Sequence, residues 1–131
     1  MTSSEAVLCV MGPNSRALLQ GLTSADMSNA AHPFGTAREI DLGYARVRAA
    51  RVTYVGELGW ELYVPSECAR SVFDSLIEAG APHGLKLAGL HAMDSCRTEK
   101  AYRHWGHDIA EEDSPLDAGL MFAVKLDKGN F

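Results

Sequence analysis

The apolar positions of this chain fall into short blocks separated by glycine, proline and polar turns, a spacing that suits short strands and helices. An apolar run from Glu5 to Met11 stops at Gly12-Pro13, the pattern of a buried strand followed by a turn into a helix with proline near its start. That helix is expected over residues 14–21, with Ala17, Leu18 and Leu22 on one face and Gly21 as its C-terminal cap. Residues 24–36, rich in Ser, Asn, Ala and Gly and carrying His32-Pro33, read as a loop. Residues 38–52 alternate like a strand through Ile40, Leu42, Tyr44 and Val47. A second strand is expected over 51–64, through Val52-Thr53-Tyr54-Val55 and Trp60-Glu61-Leu62-Tyr63-Val64, interrupted by Gly56-Glu57-Leu58-Gly59. Two glycines bracketing Glu57 predict a bulge or turn that aims the carboxylate off the sheet.

Pro65-Ser66-Glu67 opens a second helix, with Ser66 as N-cap and Glu67 complementing the positive end of the dipole. Val72, Phe73, Leu76 and Ile77 form its apolar stripe and Gly80 ends it. The apolar run 85–90 follows a Pro82-His83-Gly84 turn and reads as a strand; 92–102 reads as helix, or helix passing into strand. The order strand, helix, strand, strand, helix, strand predicts an α+β fold of the ferredoxin-like split βαβ sandwich type. Beyond Tyr102 the chain turns loop-like through Trp105-Gly106-His107-Asp108 and Ser114-Pro115, then offers a strand candidate over 120–126. A strand there lacks partners, so 111–131 is expected to be a linker and the start of a truncated further domain, after a main domain over 1–110.

With 131 residues, 47% hydrophobic and 22% charged, the chain has the size and composition of one soluble domain with a core. A net charge of −5 supplies no global field for nucleic acid or an anionic membrane surface, so any anionic ligand must be held locally. No apolar run approaches the ~20 residues of a membrane span, and the stretch from Met1 to Glu5 lacks the layout of a signal peptide. Cys9, Cys68 and Cys96 are widely spaced, lack the C-x-x-C geometry of a thiolate metal site, and are expected to be reduced small hydrophobes among apolar neighbours.

The sharpest chemical constellation is Tyr54, Glu57 and Trp60 around the glycine turn. A carboxylate held there beside aromatics can accept paired N–H donors from a flat heterocycle whose face rests on a ring. The plainer alternative is a solvated glutamate in an ordinary hairpin. A second candidate is the segment 97–108, where Arg97, Lys100 and Arg103 offer cations to carboxylates within an acidic chain; its alternative is an exposed charged helix face with a Glu99–Arg103 pair. His104, His107 and Asp108 lack a third strong ligand fixed by spacing, so no metal site is expected, and His32, His83 and His91 read as loop or core histidines. Neither a nucleophile elbow nor a nucleotide phosphate loop is present, so no catalytic residue and no flavin or nicotinamide site is assigned to this chain.

Tyr54-Val55-Gly56-Glu57-Leu58-Gly59-Trp60-Glu61 resembles the Y-T-G-E-x-G-[FY]-E signature of the glycine-cleavage T-proteins. Three further blocks resemble that family in order: Asp94-Ser95-Cys96-Arg97-Thr98-Glu99, Trp105-Gly106-His107-Asp108-Ile109, and Ser114-Pro115-Leu116-Asp117-Ala118-Gly119-Leu120. The stretches 10–63 and 102–106 look closer still to the tetrahydrofolate-binding region of dimethylglycine and sarcosine dehydrogenases. The resemblance implies the T-protein folate-binding type of α+β sandwich, with residues 111–131 beginning a barrel domain. It implies a one-carbon role, in which an amine-derived methylene group is captured as 5,10-methylenetetrahydrofolate.

By the same resemblance Glu57 binds the donor edge of the pterin, Arg97 contacts the folate, and Tyr54 and Trp105 line the cavity. A carboxylate against two N–H donors is worth roughly 1.5–3 kcal/mol if desolvated. Leu58 stands where T-proteins often carry an acid, which favours the dehydrogenase branch. The family's catalytic aspartate is expected upstream of the matched blocks, and FAD is expected only in a full-length parent. The alternatives are an aminomethyltransferase of glycine cleavage, which implies a lipoyl carrier protein as partner, and a non-catalytic folate-fold interaction module. The expected setting is the cytoplasm of a bacterium or the mitochondrial matrix of a eukaryote.

Overall fold

A computed structural model describes residues 3–129. Met1, Thr2, Asn130 and Phe131, including the chain end where an interrupted domain was expected, lie outside the described residues. The elements run β1 (Glu5–Met11), α1 (Ser15–Gln20), β2 (Ala37–Leu42), β3 (Ala45–Ala50), β4 (Gly59–Pro65), α2 (Ala69–Gly80) and α3 (Leu90–Glu99). The strands form a four-stranded sheet in the order β1-β4-β3-β2, with every pair antiparallel. The fold is thus α+β.

Strand alternation explains which face is covered. Leu8 and Val10 of β1 sit opposite Leu62 and Trp60 of β4, Ala49 of β3 opposite Leu62, and Val47 opposite Ile40 of β2. These side chains point to one face, where Leu18 and Leu19 of α1 and Val72 and Leu76 of α2 close the core. Trp60, Leu19, Leu62 and Val64 are fully buried. Each such burial stabilises the fold by roughly 1.5–3 kcal/mol, so the sheet is held mainly through this face. The opposite face is polar: Arg46 pairs with Glu39 at 3.2 Å and Asp41 at 3.3 Å, and Arg48 pairs with Glu5 at 3.2 Å while lying over the Tyr63 ring. One solvated face is ordinary for an antiparallel sheet.

Several local expectations are corrected. The pattern over 38–52 is not one strand but a hairpin: Gly43 adopts φ 61° and a two-residue turn with Tyr44 joins β2 to β3. The buried positions change from even, Ile40 and Leu42, to odd, Ala45, Val47 and Ala49, but the exposed Tyr44 prolongs the even alternation and masks that shift. Residues 51–58 leave the sheet, and β4 begins only at Gly59. Ser66 does not cap α2. A 3-10 turn, Ser66–Cys68, precedes that helix, and the Ser66 hydroxyl donates instead to the Ser3 carbonyl.

The strand expected over 85–90 does not form, so the second βαβ unit stays open among the described residues. Leu85 N–H donates to Gly80 O, folding Leu85 onto the end of α2 where Gly80 has no side chain, and Leu87 and Leu90 are exposed. The strand expected over 120–126 is a 3-10 turn, Met121–Ala123, flanked by irregular chain. The cysteines are free, but Cys9 and Cys96 are exposed rather than packed among apolar neighbours.

Trp60 is wedged between polar groups that the sequence pattern did not connect. Its Nε1–H donates to His32 Nδ1 at 3.4 Å, and the guanidinium groups of Arg16 and Arg51 lie 5.5 and 5.6 Å from its ring centre. His32 is fully buried, and its Nε2 has no well-formed hydrogen bond. Loss of hydration lowers its pKa, as do Arg38 and Arg51, against the stabilising carbonyls of Thr36 and Ala49.

A base whose folded pKa lies below its unfolded value leaves the unfolded chain holding more protons, so its contribution falls away as pH drops below about 6.5. Urea unfolding between about pH 7 and about pH 5 is expected to show wild type losing stability more steeply than His32→Gln. Parallel slopes for the two proteins would contradict a buried neutral imidazole.

Candidate functional site

Residues 51–58 and the end of α3 come together although they are far apart in sequence. As the chain leaves β3, Arg51 N–H donates to Thr36 O and Arg51 O accepts from Gly35 N–H, tying the departing segment to the loop before β2. Leu58 is pinned at the other end, its carbonyl accepting from Gly12 N–H at 2.7 Å and from the Ser15 hydroxyl at 3.1 Å. Between these anchors Tyr54 and Glu57 are carried out of the sheet. Glu57 is half-exposed, and Lys100 Nζ is 3.8 Å from its Oε1.

The other side is built by the end of α3. Lys100, Ala101 and Tyr102 N–H groups donate to Arg97 O, Thr98 O and Arg97 O, a left-handed helix stop of the kind usually made with glycine. Here the left-handed residue is Ala101, at φ 56°, the one such non-glycine among the described residues. That conformation costs an L residue about 1–2 kcal/mol and marks a strained turn at the site.

Arg97 lies below this turn and is only 4% exposed. Its guanidinium donates to Asp94 Oδ1 at 2.7 Å, to Tyr102 O at 3.0 Å and to Asp108. Asp108 also accepts from His104 N–H at 2.9 Å and meets His107 Nδ1 at 3.0 Å. The His107 contact, the His104 amide and Arg97 together hold the Asp108 carboxyl well below the usual carboxylate range. The Arg97–Asp108 bond therefore ties α3 to the loop that presents Trp105, which is further closed by a bridge between Trp105 and Ile109.

The result is a cleft of about 300 Å³, at the lower end for ligand sites, lined by Tyr54, Lys100, Tyr102, Arg103, Trp105, Ile109 and the apolar Leu120 and Phe122. Tyr54 donates its hydroxyl to Arg103 O at 3.0 Å and stacks with Tyr102, ring centres 6.2 Å apart. Trp105 is 65% exposed, leaving its face open. Tyr54 and Trp105 thus share one cleft, whereas Glu57 is outside its lining, 3.8 Å from the ammonium of Lys100, which lines it. Arg97 does not line it. A second hollow of about 370 Å³ lies beside Arg16, Asp26 and Ser28, where Asp26 accepts from Ser28 N–H and Arg16 donates to Met27 O and Asn29 Oδ1, outside the lining. Among the described residues no cluster of three or more His, Cys, Asp or Glu is placed to hold a metal, and no helix is long and apolar enough to cross a membrane.

The model of the GCVT N-terminal domain matches residues 1–128. The chain belongs to the GCVT N-terminal domain family. Among curated relatives, mitochondrial sarcosine dehydrogenase of Mus musculus is 48% identical over 128 residues, which is 96% of this chain and 14% of that protein. Mitochondrial dimethylglycine dehydrogenase of Homo sapiens is 40% identical over 98% of this chain and 15% of its own length. An aminomethyltransferase of Caldanaerobacter subterraneus subsp. tengcongensis is 39% identical over 96% of this chain and 33% of its own length. This GCVT domain therefore spans a minor part of each relative, and its resemblance to the T-protein and dehydrogenase groups extends over nearly the whole chain.

Two participants were not singled out from the residues of this domain as site-builders. Tyr102 stood inside the 97–108 segment and the 102–106 resemblance without a role of its own, yet it stacks on Tyr54. Asp108 was quoted in the 105–109 block and weighed against a metal site, whereas it is an acceptor for Arg97; the i,i+3 spacing of Asp94 and Arg97 was readable, but the partner across the loop was not. If Asp108 holds the cleft wall, hydrogen exchange in Asp108→Asn should quicken by about tenfold or more across residues 103–109 while β1–β4 amides stay protected. Unchanged exchange in that loop would show that the bond to Arg97 does not shape it.

Proposed function

We propose that this chain is the tetrahydrofolate-binding segment of a one-carbon-transferring protein of the dimethylglycine/sarcosine dehydrogenase type. A methylene group, released from a methylated amine as an iminium or formaldehyde equivalent, is captured on the folate as 5,10-methylenetetrahydrofolate. The observation that carries this reading is the cleft that gathers Tyr54 and Trp105 with Glu57 beside it, in a chain of the GCVT family. The higher identity to sarcosine dehydrogenase than to the aminomethyltransferase supports the dehydrogenase branch.

In this reading Glu57 accepts the paired N–H donors of the pterin, and the exposed Trp105 face and Tyr54 flank the ring. Arg97 serves the folate by holding the wall; a direct contact requires Asp94 or Asp108 to yield part of its hold. No group of this chain is assigned a catalytic proton transfer. FAD belongs to a full-length parent, outside this chain. The T-protein folate-binding type of sandwich is part of the same proposal, supported by the antiparallel sheet with α1 and α2 on one face. So is a boundary near residue 110, supported by the exposed Leu116, Met121, Phe122 and Leu126 beyond it. The setting proposed is the bacterial cytoplasm or the mitochondrial matrix.

Calorimetric titration of the purified chain with 5-formyltetrahydrofolate tests this reading. Saturable binding is expected, and Glu57→Gln should weaken it by about tenfold to a hundredfold. A folded Glu57→Gln chain that binds as tightly as wild type would remove Glu57 from the pterin site.

A further inference from the structure

The two glycines of Gly56-Glu57-Leu58-Gly59 meet different neighbours. A side chain on Gly59 would stand 2.1 Å from Met11 Sδ and 3.0 Å from Val10 O, so this glycine lets β4 lie against β1. Gly56, at φ 71°, faces Lys100: a Cβ there would stand 2.3 Å from Lys100 Cγ and 2.7 Å from Cδ. The lysine stem therefore lies across the bare glycine, and its ammonium emerges beside Glu57 Oε1.

We propose that Lys100 is a positioning residue of the ligand site, seated on Gly56 so that its ammonium aims the Glu57 carboxylate at the cleft that Lys100 itself lines. The inference rests on the reading that Glu57 accepts the donor edge of a pterin. Two features of the structure support it. The lysine backbone is fixed by the end of α3 and by the left-handed turn at Ala101, so its stem leaves from a constrained origin. The pair is also half-exposed at both ends in the open site, where an ion pair contributes little to stability. A ligand that covers it excludes water and lowers the local dielectric, so the orientation gains strength in the bound state. Glu57 then meets the ligand already turned toward it, at a smaller cost in side-chain entropy.

The test is a double-mutant cycle read by calorimetry with 5-formyltetrahydrofolate. Lys100→Met keeps the stem over Gly56 and removes the charge. It should weaken binding by about threefold to tenfold, Lys100→Arg should restore most of the loss, and on a Glu57→Gln background Lys100→Met should have no further effect. Wild-type affinity in Lys100→Met, with Glu57→Gln still weakened, overturns the role of Lys100 and leaves the pterin reading standing. An equal loss from Lys100→Met with and without Glu57 overturns it too, because the lysine would then act on the ligand independently of the carboxylate. Full affinity in Glu57→Gln instead overturns the pterin reading and the inference built on it.

Discussion

Strand β4 is the constraint on which the rest depends. It pairs with β1 on one side and β3 on the other, and it buries Trp60, Leu62 and Val64 against α1 and α2. Gly59 opens the strand in a space too small for a side chain, and the residue before it, Leu58, is bonded to the turn after β1. Because β4 is fixed at that point, the segment between β3 and β4 has both ends anchored. Glu57 and Tyr54 are displayed by a loop whose mobility is limited by the sheet that it leaves.

The opposing wall is held electrostatically. α3 buries little apart from Arg97, and its hydrophobic contribution to the fold is correspondingly small. What orders its end is the guanidinium between Asp94 and Asp108, with the Tyr102 carbonyl as a further acceptor. A buried arginine without acceptors would be strongly unfavourable, so the loop 103–109 must close over it to supply Asp108. That closure brings Tyr102 and Trp105 to the cleft. The cation read as a folate contact from its motif is, in this arrangement, a brace for the residues that face the cavity.

Much of this was legible because it rests on local rules. β1, α1 and α2 followed from apolar periodicity and from glycine or proline at their ends, and the glutamate displayed between two glycines followed from turn chemistry. The β2–β3 hairpin was not, because the exposed Tyr44 prolongs the alternation of Ile40 and Leu42 and hides the change of phase to Ala45, Val47 and Ala49. The strand expected over 85–90 failed for another reason: an apolar run fits a strand or a packed helix end equally well, and the bare Gly80 drew Leu85 onto α2. At the site, Tyr54, Glu57 and Trp105 were named from motifs, but the Tyr102 stack, the Asp108 brace and the Lys100 link depend on contacts between distant segments, which one sequence does not display.

The measurement closest to the central claim is amide chemical-shift mapping of the purified chain during titration with 5-formyltetrahydrofolate. Shifts concentrated in residues 54–58 and 100–109, with the open face of the sheet unchanged, are the predicted result. Shifts gathered instead around Arg16, Asp26 and Ser28, or none at ligand concentrations that saturate the calorimetric signal, would contradict a pterin site between Glu57 and Trp105.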